Sequence, residues 1–471
     1  MFFRFFLIGA LFALLACREQ TPTAAAPELA AEIDSLVARY QDLDIFSGVV
    51  MVARNGAPVY HKAFGLANRE TGQANSTDTY FDIGSMNKTF TKVVVHQLMA
   101  AGQLAVEDTL GKFLDGFAPE KAGRITVGQL LEHRSGFGDY HSPDYFEGPA
   151  SSRTIAGVVE RARHLPLLFE PGSDQAYSNT GYVLLGAIVE KVTGKDYYQN
   201  VRERIVEPLQ LKHTVLKAVE TAPDRSVGYF KTATGQLRDN REFNQLPKPD
   251  GGFLSTTSDI LRFYQAFHYS DKLLSAGEKK AMPYFQFFEK ITQKDGAAAS
   301  QAGGFNGANT VLLEIPSRKT TVIVFANMDE PVAELLGEGI LQLLRGERPD
   351  APQLPAAQNV YRAWEAHGPD FVKENFDSLT VNFHPNDPKD FILNSVGYDL
   401  MFAGRLAEAI EIFRLNVALF PDAANCYDSL GEAYLQSGDK KAALANYGKA
   451  LDLDPDLPSA REAVARLREN R

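Results

Sequence analysis

The chain has 471 residues, 45% of them hydrophobic and 23% charged, a globular composition long enough for about two or three domains. Its formal net charge of −11 argues against nucleic acid as a partner and supplies no basic face for a membrane.

The N-terminus reads as a targeting segment. Arg4 precedes an apolar run, Phe5 to Ala16, too short to cross a membrane comfortably. The run ends in Leu14-Leu15-Ala16-Cys17, which resembles a bacterial lipoprotein signal. That resemblance implies cleavage before Cys17 and lipidation of its thiol; the plainer alternative is a secretory signal with a chance cysteine. Residues 1–17 are then signal and anchor, and residues 18–30, with Thr21-Pro22-Thr23 and Pro27, a tether. Arg18 rather than an aspartate follows the cysteine, which by the same resemblance favours the periplasmic face of the outer membrane. Cys426 is the other cysteine, so a lipidated chain has no internal disulfide. It lies in an apolar helical pattern and reads as a core filler.

Glu28 to Tyr40 has the pattern of an amphipathic helix. Ser47 to Ala53 and Val59 to Gly65 read as strands joined by the Asn55-Gly56 turn. Next comes Phe81-Asp82-Ile83-Gly84-Ser85-Met86-Asn87-Lys88-Thr89-Phe90, with a helix expected from Ser85 to the Ala101-Gly102 stop. Residues three apart on a helix share a face, so Lys88 is expected beside Ser85. A serine hydroxyl needs a neighbouring base to act as a nucleophile, and burial with the positive end of the helix dipole favours a neutral lysine. The unpaired N–H groups of the first turn are able to hold an oxyanion. Taken alone, the same spacing fits a serine that merely caps a helix.

Ile125 to His133 reads as a capped helix; His133 beside the following loop is expected to pin that loop rather than to catalyse. Residues 150–220 are mostly helical, with Tyr177-Ser178-Asn179 leading into the apolar helix from Tyr182. Gly251-Gly252 precedes Phe253 to Thr257, and a helix starts at Ser258-Asp259. Strands return near residue 300, at Thr310 to Ile315 and Thr320 to Asn327, and Val332 to Leu344 is a closing helix. Strands at both ends with helices between predict an antiparallel sheet flanked by helices, an α/β (α+β) fold with an all-helical insertion.

Four segments together resemble one family. Phe81 to Thr91 is similar to its nucleophile motif, Tyr177-Ser178-Asn179 to its Tyr-x-Asn motif, and Ile125 to Phe137 and Asp250 to Thr257 to its linking segments. The family is the serine hydrolases related to class C β-lactamases, among them DD-peptidases and esterases, and the resemblance spans residues 31–346 in order. It implies that Ser85 is the acylated nucleophile, that Lys88 helps deprotonate it, and that Tyr177 is a general base or acid relaying the proton. It implies that Asn179 orients Lys88 and the substrate. A phenol is a poor base at neutral pH unless a nearby cation stabilises its phenolate, and Lys88 is a cation able to do so. One motif departs. Where relatives carry Lys-Thr-Gly or His-x-Gly, the aligned stretch is Gln301-Ala302-Gly303-Gly304. Gly303 keeps the close backbone approach, Gly304 N–H becomes the second oxyanion donor, and Gln301 offers the substrate hydrogen bonds without charge.

A period of 34 closes the chain: Val396-Gly397, Leu400, Ala409, Phe413 and Pro421 are matched by Leu430-Gly431, Tyr434, Ala443, Tyr447 and Pro455. It resembles the tetratricopeptide repeat. Residues 347–390 are a linker and helical segment in which Ala356 to Phe376 docks as a preceding unit; residues 391–471 are the repeats, closed by a capping helix from Ser459 to Arg468. Such arrays bind proteins or peptides, or simply pack on the neighbouring domain.

The reading is an exported, lipid-anchored serine hydrolase acting through an acyl-Ser85 intermediate on a small-molecule or peptide ester or amide. No metal or organic cofactor is implied. One rival is a β-lactamase or D-alanyl-D-alanine carboxypeptidase acting on cell-wall peptides. Another is a catalytically weak binding protein that works through its repeats.

Overall fold

A computed structural model describes residues 27–469 apart from 143, 144, 147, 218, 242–245 and 382–387. Cys17 and its preceding segment lie outside the described residues. Among the described residues no helix is long and apolar enough to cross a membrane.

The described residues start with α1 (Pro27–Asp42), which takes in the last residues of the stretch read as a tether. Strands β1 (Gly48–Arg54) and β2 (Ala57–Phe64) follow, turning at Asn55-Gly56, both left-handed. The nucleophile region enters α2 (Asn87–Ala100). The helical insertion includes α3 (Val127–Leu131), α4 (Ile155–His164), α5 (Asn179–Thr193) and α6 (Thr257–Tyr269). The chain then returns to the sheet as β3 (Ala299–Phe305), β4 (Ala308–Ile315) and β5 (Thr320–Ala326), and closes with α7 (Val332–Arg345).

The five strands order as β2-β1-β5-β4-β3, every neighbour antiparallel. Hence the sheet is built from both ends of the domain, with Val50 and Val311 both registered on Val324. Side chains on a strand alternate between faces. Val49, Met51, Leu312, Ile323 and Phe325 pack with Phe90 and Phe263 of the helical insertion. Val50, Val52, Val311, Val322 and Val324 pack with Leu36 of α1 and Leu336 and Ile340 of α7. Because helices cover both faces, these antiparallel strands read as unbroken apolar runs rather than as an alternation. Among the described residues the outer strand β3 pairs only with β4, which leaves its other edge to line a cleft.

Beyond residue 346 the chain is helical. α8 (Ala356–Leu379) breaks at Gly368, which precedes Pro369. α9 (Asp390–Phe402), α10 (Leu406–Leu419), α11 (Ala424–Gln436), α12 (Lys440–Leu453) and α13 (Pro458–Glu469) complete the array. The repeat spacing has a direct packing meaning. A β-carbon on Gly397 would sit 2.4 Å from Phe413 Cε1, and one on Gly431 3.0 Å from Tyr447 Cδ1. Glycine at these points lets each helix pair close over the aromatic ring. Val360, Trp364 and Phe376 of α8 share a cluster with Val396 and Leu400. Cys426 is buried, and burial beside Asp390 pushes its thiol up to about 12. The array touches the first domain where Asp399 accepts the Ala233 N–H.

Candidate active site

The site forms where the free edge of β3 meets the turn before α2. Asp82 Oδ1 accepts the Gly84 N–H at 2.8 Å, and Gly84 takes a left-handed φ of 48°. This turns the chain into a single 3₁₀ turn, Gly84–Met86, before the helix proper begins at Asn87. The helix therefore starts two residues later than the sequence suggests. No side-chain capping bond is made at either start, so Ser85 is not there as a cap.

Instead the Ser85 hydroxyl stands between two partners. Lys88 Nζ donates to Ser85 Oγ at 2.9 Å, and Tyr177 OH lies 2.7 Å from the same oxygen. Lys88 is 5% exposed. Its other contacts are Asn179 Oδ1 at 2.7 Å and the Asp250 carbonyl at 2.8 Å, so its three donors are all engaged. Burial lowers its pKa to about 8, with Lys92 pushing the same way and Asp250 and Asp139 opposing. A pKa of about 8 leaves roughly a tenth of the amine neutral at pH 7, against less than a thousandth for an ordinary lysine.

Tyr177 is 56% exposed, while its hydroxyl end turns down onto Ser85. Burial of that end pushes the phenol up to about 12; the Ser85 hydrogen bond opposes the rise, and Asp250, Asp139 and Glu330 add to it. Burial and these carboxylates favour the neutral phenol over the phenolate. Lys88 lies 4.8 Å from the Tyr177 ring centroid, too weak an influence to offset burial and three carboxylates. His133 holds the ring from behind, stacked at 4.7 Å, and its Nδ1 accepts the Ser178 N–H at 3.1 Å. Burial takes His133 down to about 4, so it is neutral. It pins the Tyr177 loop, whereas the sequence points to the loop that directly follows His133.

Asn179 opens α5 and bridges two charges: it accepts from Lys88 and donates to Asp139 Oδ2 at 2.5 Å. Burial works to raise the Asp139 carboxyl, but hydrogen bonds from His141 and Asn179 hold it below its ordinary value. Asp139 and the Asp250 carbonyl were not read from the sequence. Both act on residues 40 or more positions away; Asp250 opens a segment that resembles a family motif, but nothing in that motif assigns its carbonyl to Lys88.

The glycines of β3 behave as spacing elements. A β-carbon on Gly303 would lie 2.2 Å from Ile83 O and 2.7 Å from Ser85 N. Thr310 Oγ1 braces this contact by donating to Ile83 O and Gly303 O at 3.2 and 3.1 Å. Phe305 and Ala308 flank a two-residue hairpin loop, so they form a hydrogen-bonded pair. The next pair, Gly304 and Asn309, then turns its backbone groups outward. Gly304 N–H thus faces the free edge, near Gly84, whose β-carbon would lie 2.6 Å from that nitrogen. Gln301 differs from the expectation. Its amide Oε1 accepts from the buried Thr89 hydroxyl at 3.3 Å, and Tyr264 OH donates to that hydroxyl at 3.2 Å. The side chain is engaged with the α2–α6 packing, where hydrogen bonds to a substrate had been expected. Beside Gly84 lies a pocket lined by Tyr140, Arg225, Lys248, Asp250 and Phe305.

Residues 33–347 match the Beta-lactamase family, and residues 391–456 a tetratricopeptide repeat family. The chain is 28% identical over 343 residues to penicillin-binding protein 4* of Bacillus subtilis, covering 66% of this chain and 75% of that one. It is 30% identical over 246 residues to esterase EstB of Burkholderia gladioli, covering 48% of this chain and 61% of the esterase. Among solved structures, the octameric penicillin-binding protein homologue from Pyrococcus abyssi superposes with a TM-score of 0.57 at 23% identity. That match covers 72% of this chain and 81% of the homologue, and the likeness is one of fold.

Proposed function

The chain belongs to the β-lactamase family of serine hydrolases, and from this we propose that it hydrolyses an ester or amide through an acyl-Ser85 intermediate. The observation that carries the reading is the Ser85 Oγ held at 2.9 Å from Lys88 Nζ and 2.7 Å from Tyr177 OH. Lys88, in its neutral form, takes the Ser85 proton as Oγ attacks the carbonyl carbon. The oxyanion is received by the backbone N–H groups of Ser85 and Gly304. Tyr177, a neutral phenol, passes a proton from the Lys88–Ser85 pair to the leaving group, and the bond to that group breaks. Water then enters along the same path, gives its proton to the pair and releases the acid. Asn179 keeps Lys88 aimed at Ser85, and Asp139 keeps Asn179 in place.

A second reading, hydrolysis of cell-wall peptides as a β-lactamase or D-alanyl-D-alanine carboxypeptidase, is favoured by the penicillin-binding relative. The uncharged Gln301 at the position of the expected cation counts against it. Export with a lipid anchor at Cys17, and capture of a protein or peptide by the repeats, are parts of the same proposal. The test is release of p-nitrophenol from short-chain esters by the chain lacking residues 1–17, beside Ser85→Ala. Turnover by the first and none by the second supports the reading; equal rates refute it.

A further inference from the structure

Lys88 is surrounded by groups that favour its ammonium. Ser85 Oγ at 2.9 Å, Asn179 Oδ1 at 2.7 Å and the Asp250 carbonyl at 2.8 Å take its three N–H donors. The Asp139 and Asp250 carboxyls add their charge. Burial opposes them, and so does a second cation, Lys92. Lys92 lies one helical turn further along α2, on the face that carries Lys88. Both ammonium groups sit over the same ring: Lys88 Nζ is 5.6 Å and Lys92 Nζ 5.8 Å from the Tyr182 centroid. That ring is fully buried on α5, its hydroxyl donating to Leu131 O at 3.0 Å, and His133 packs against it at 5.0 Å. Lys92 is half-buried, and no carboxylate among the described residues answers its charge. The other titratable groups about it are His133 and His96, both of which it holds toward the neutral form. Lys248, the lysine near Asp250, bonds Leu246 O at 3.0 Å and faces the Tyr140 and Tyr145 rings.

We infer that Lys92 is the positive charge that frees Lys88 to act as the base: its ammonium, one turn away and over the same ring, favours loss of the Lys88 proton. This rests on the acyl-Ser85 reading above. A lysine is activated by a second cation beside it as well as by desolvation. Here the two act together. Lys88, the more enclosed amine, gives up its proton, while Lys92, nearer to solvent, keeps its own. On β3, at the position where a cation is expected, Gln301 is neutral and engaged by Thr89, so the charge beside the base comes from α2 instead. Lys92 touches no reacting atom; it is a positioning residue that works through Lys88. The same charge keeps His133 neutral, as an acceptor of the Ser178 N–H must be.

The test is the pH profile of kcat/KM for p-nitrophenyl butyrate, with Ser85→Ala as the background, in the wild type, Lys92→Met, Lys92→Gln and Lys92→Arg. Methionine keeps the length and apolar stem of Lys92 and removes the charge; arginine keeps the charge. The midpoint of such a profile belongs to the free enzyme and is independent of the active fraction, so a partly folded variant still reports it. The wild type should rise with a midpoint near 8. In Lys92→Met and Lys92→Gln the midpoint is expected to move up by about one pH unit, a fall on the order of tenfold in kcat/KM at pH 7, while Lys92→Arg stays near the wild type. A midpoint unchanged in whichever neutral variant folds, with the wild-type rise intact, overturns the inference alone. An equal upward move in Lys92→Arg assigns the effect to packing and also overturns it. A flat wild-type profile, or the absence of Ser85-dependent turnover, overturns the reading on which the inference rests.

Discussion

Replacing Gly303 by alanine tests whether the approach of β3 to the nucleophile is needed for chemistry. The new β-carbon would lie 2.2 Å from Ile83 O, 2.7 Å from Ser85 N and 2.9 Å from Met86 N, all backbone atoms. No rotamer change relieves such a clash. Opening 2.2 Å to ordinary contact at 3.4 Å requires the strand and the nucleophile turn to part by about 1.2 Å. Gly304 N–H moves with the strand and Ser85 N–H with the turn, so the oxyanion position is stretched between them. Displacements near 1 Å cost about 100-fold in rate, and a lost oxyanion donor about 100- to 1000-fold. Overpacking also destabilises by about 1–3 kcal/mol, a drop of several degrees in melting temperature for a domain of this size. The assay is ester kcat/KM together with a circular dichroism melt. A Gly303→Ala protein that folds and retains activity within about threefold of the wild type refutes the argument.

The lowered Lys88 pKa sets a pH dependence. Activity needs the neutral amine, so kcat/KM should rise with pH and level off above about 8; a flat profile between pH 6 and 9 excludes Lys88 as the base. Buried His268 has its Nε2 2.8 Å from Tyr284 OH and its pKa pushed down to about 3, and half-buried His133 to about 4. Folded pKa values below the ordinary 6.5 mean full stability above pH 6.5 and loss as pH falls toward 4. The slope is about 1.4 kcal/mol per pH unit for each group. His268→Gln, which takes up no proton, should flatten the fall in melting temperature, and an unchanged slope refutes the assignment. In the repeats, Gly397→Ala drives a methyl group to within 2.4 Å of Phe413. It should cost about 1–3 kcal/mol and speed proteolysis between residues 391 and 456; unchanged proteolysis contradicts the packing account.

The sheet was legible because Ser47 to Ala53 and Thr320 to Asn327 are apolar, β-branched runs next to turn residues, and their place at the two ends of the domain required a shared sheet. The repeats were legible because a 34-residue spacing fixes which glycine meets which aromatic. The grouping of Ser85, Lys88, Tyr177 and Asn179 came from motif resemblance. Spacing alone placed only Lys88 beside Ser85, since Tyr177 lies 92 positions from it. A shift of Lys88 toward the neutral amine was anticipated from burial and the helix dipole, but the protonation state of Tyr177 was not legible. Burial is a tertiary property, and it put the accessible neutral base on Lys88 while holding the Tyr177 proton in place. Gln301 likewise pairs with Thr89 across the sheet–helix interface, a contact that alignment to a Lys-Thr-Gly motif does not reveal.

The most direct measurement is the intact mass of the protein after brief exposure to a fluorophosphonate, followed by peptide mapping, in the wild type and in Ser85→Ala. A single adduct on the peptide containing Ser85, formed faster as pH rises through about 8 and absent in Ser85→Ala, is the expected result. Equal labelling of both proteins, or an adduct on another residue, would contradict the account.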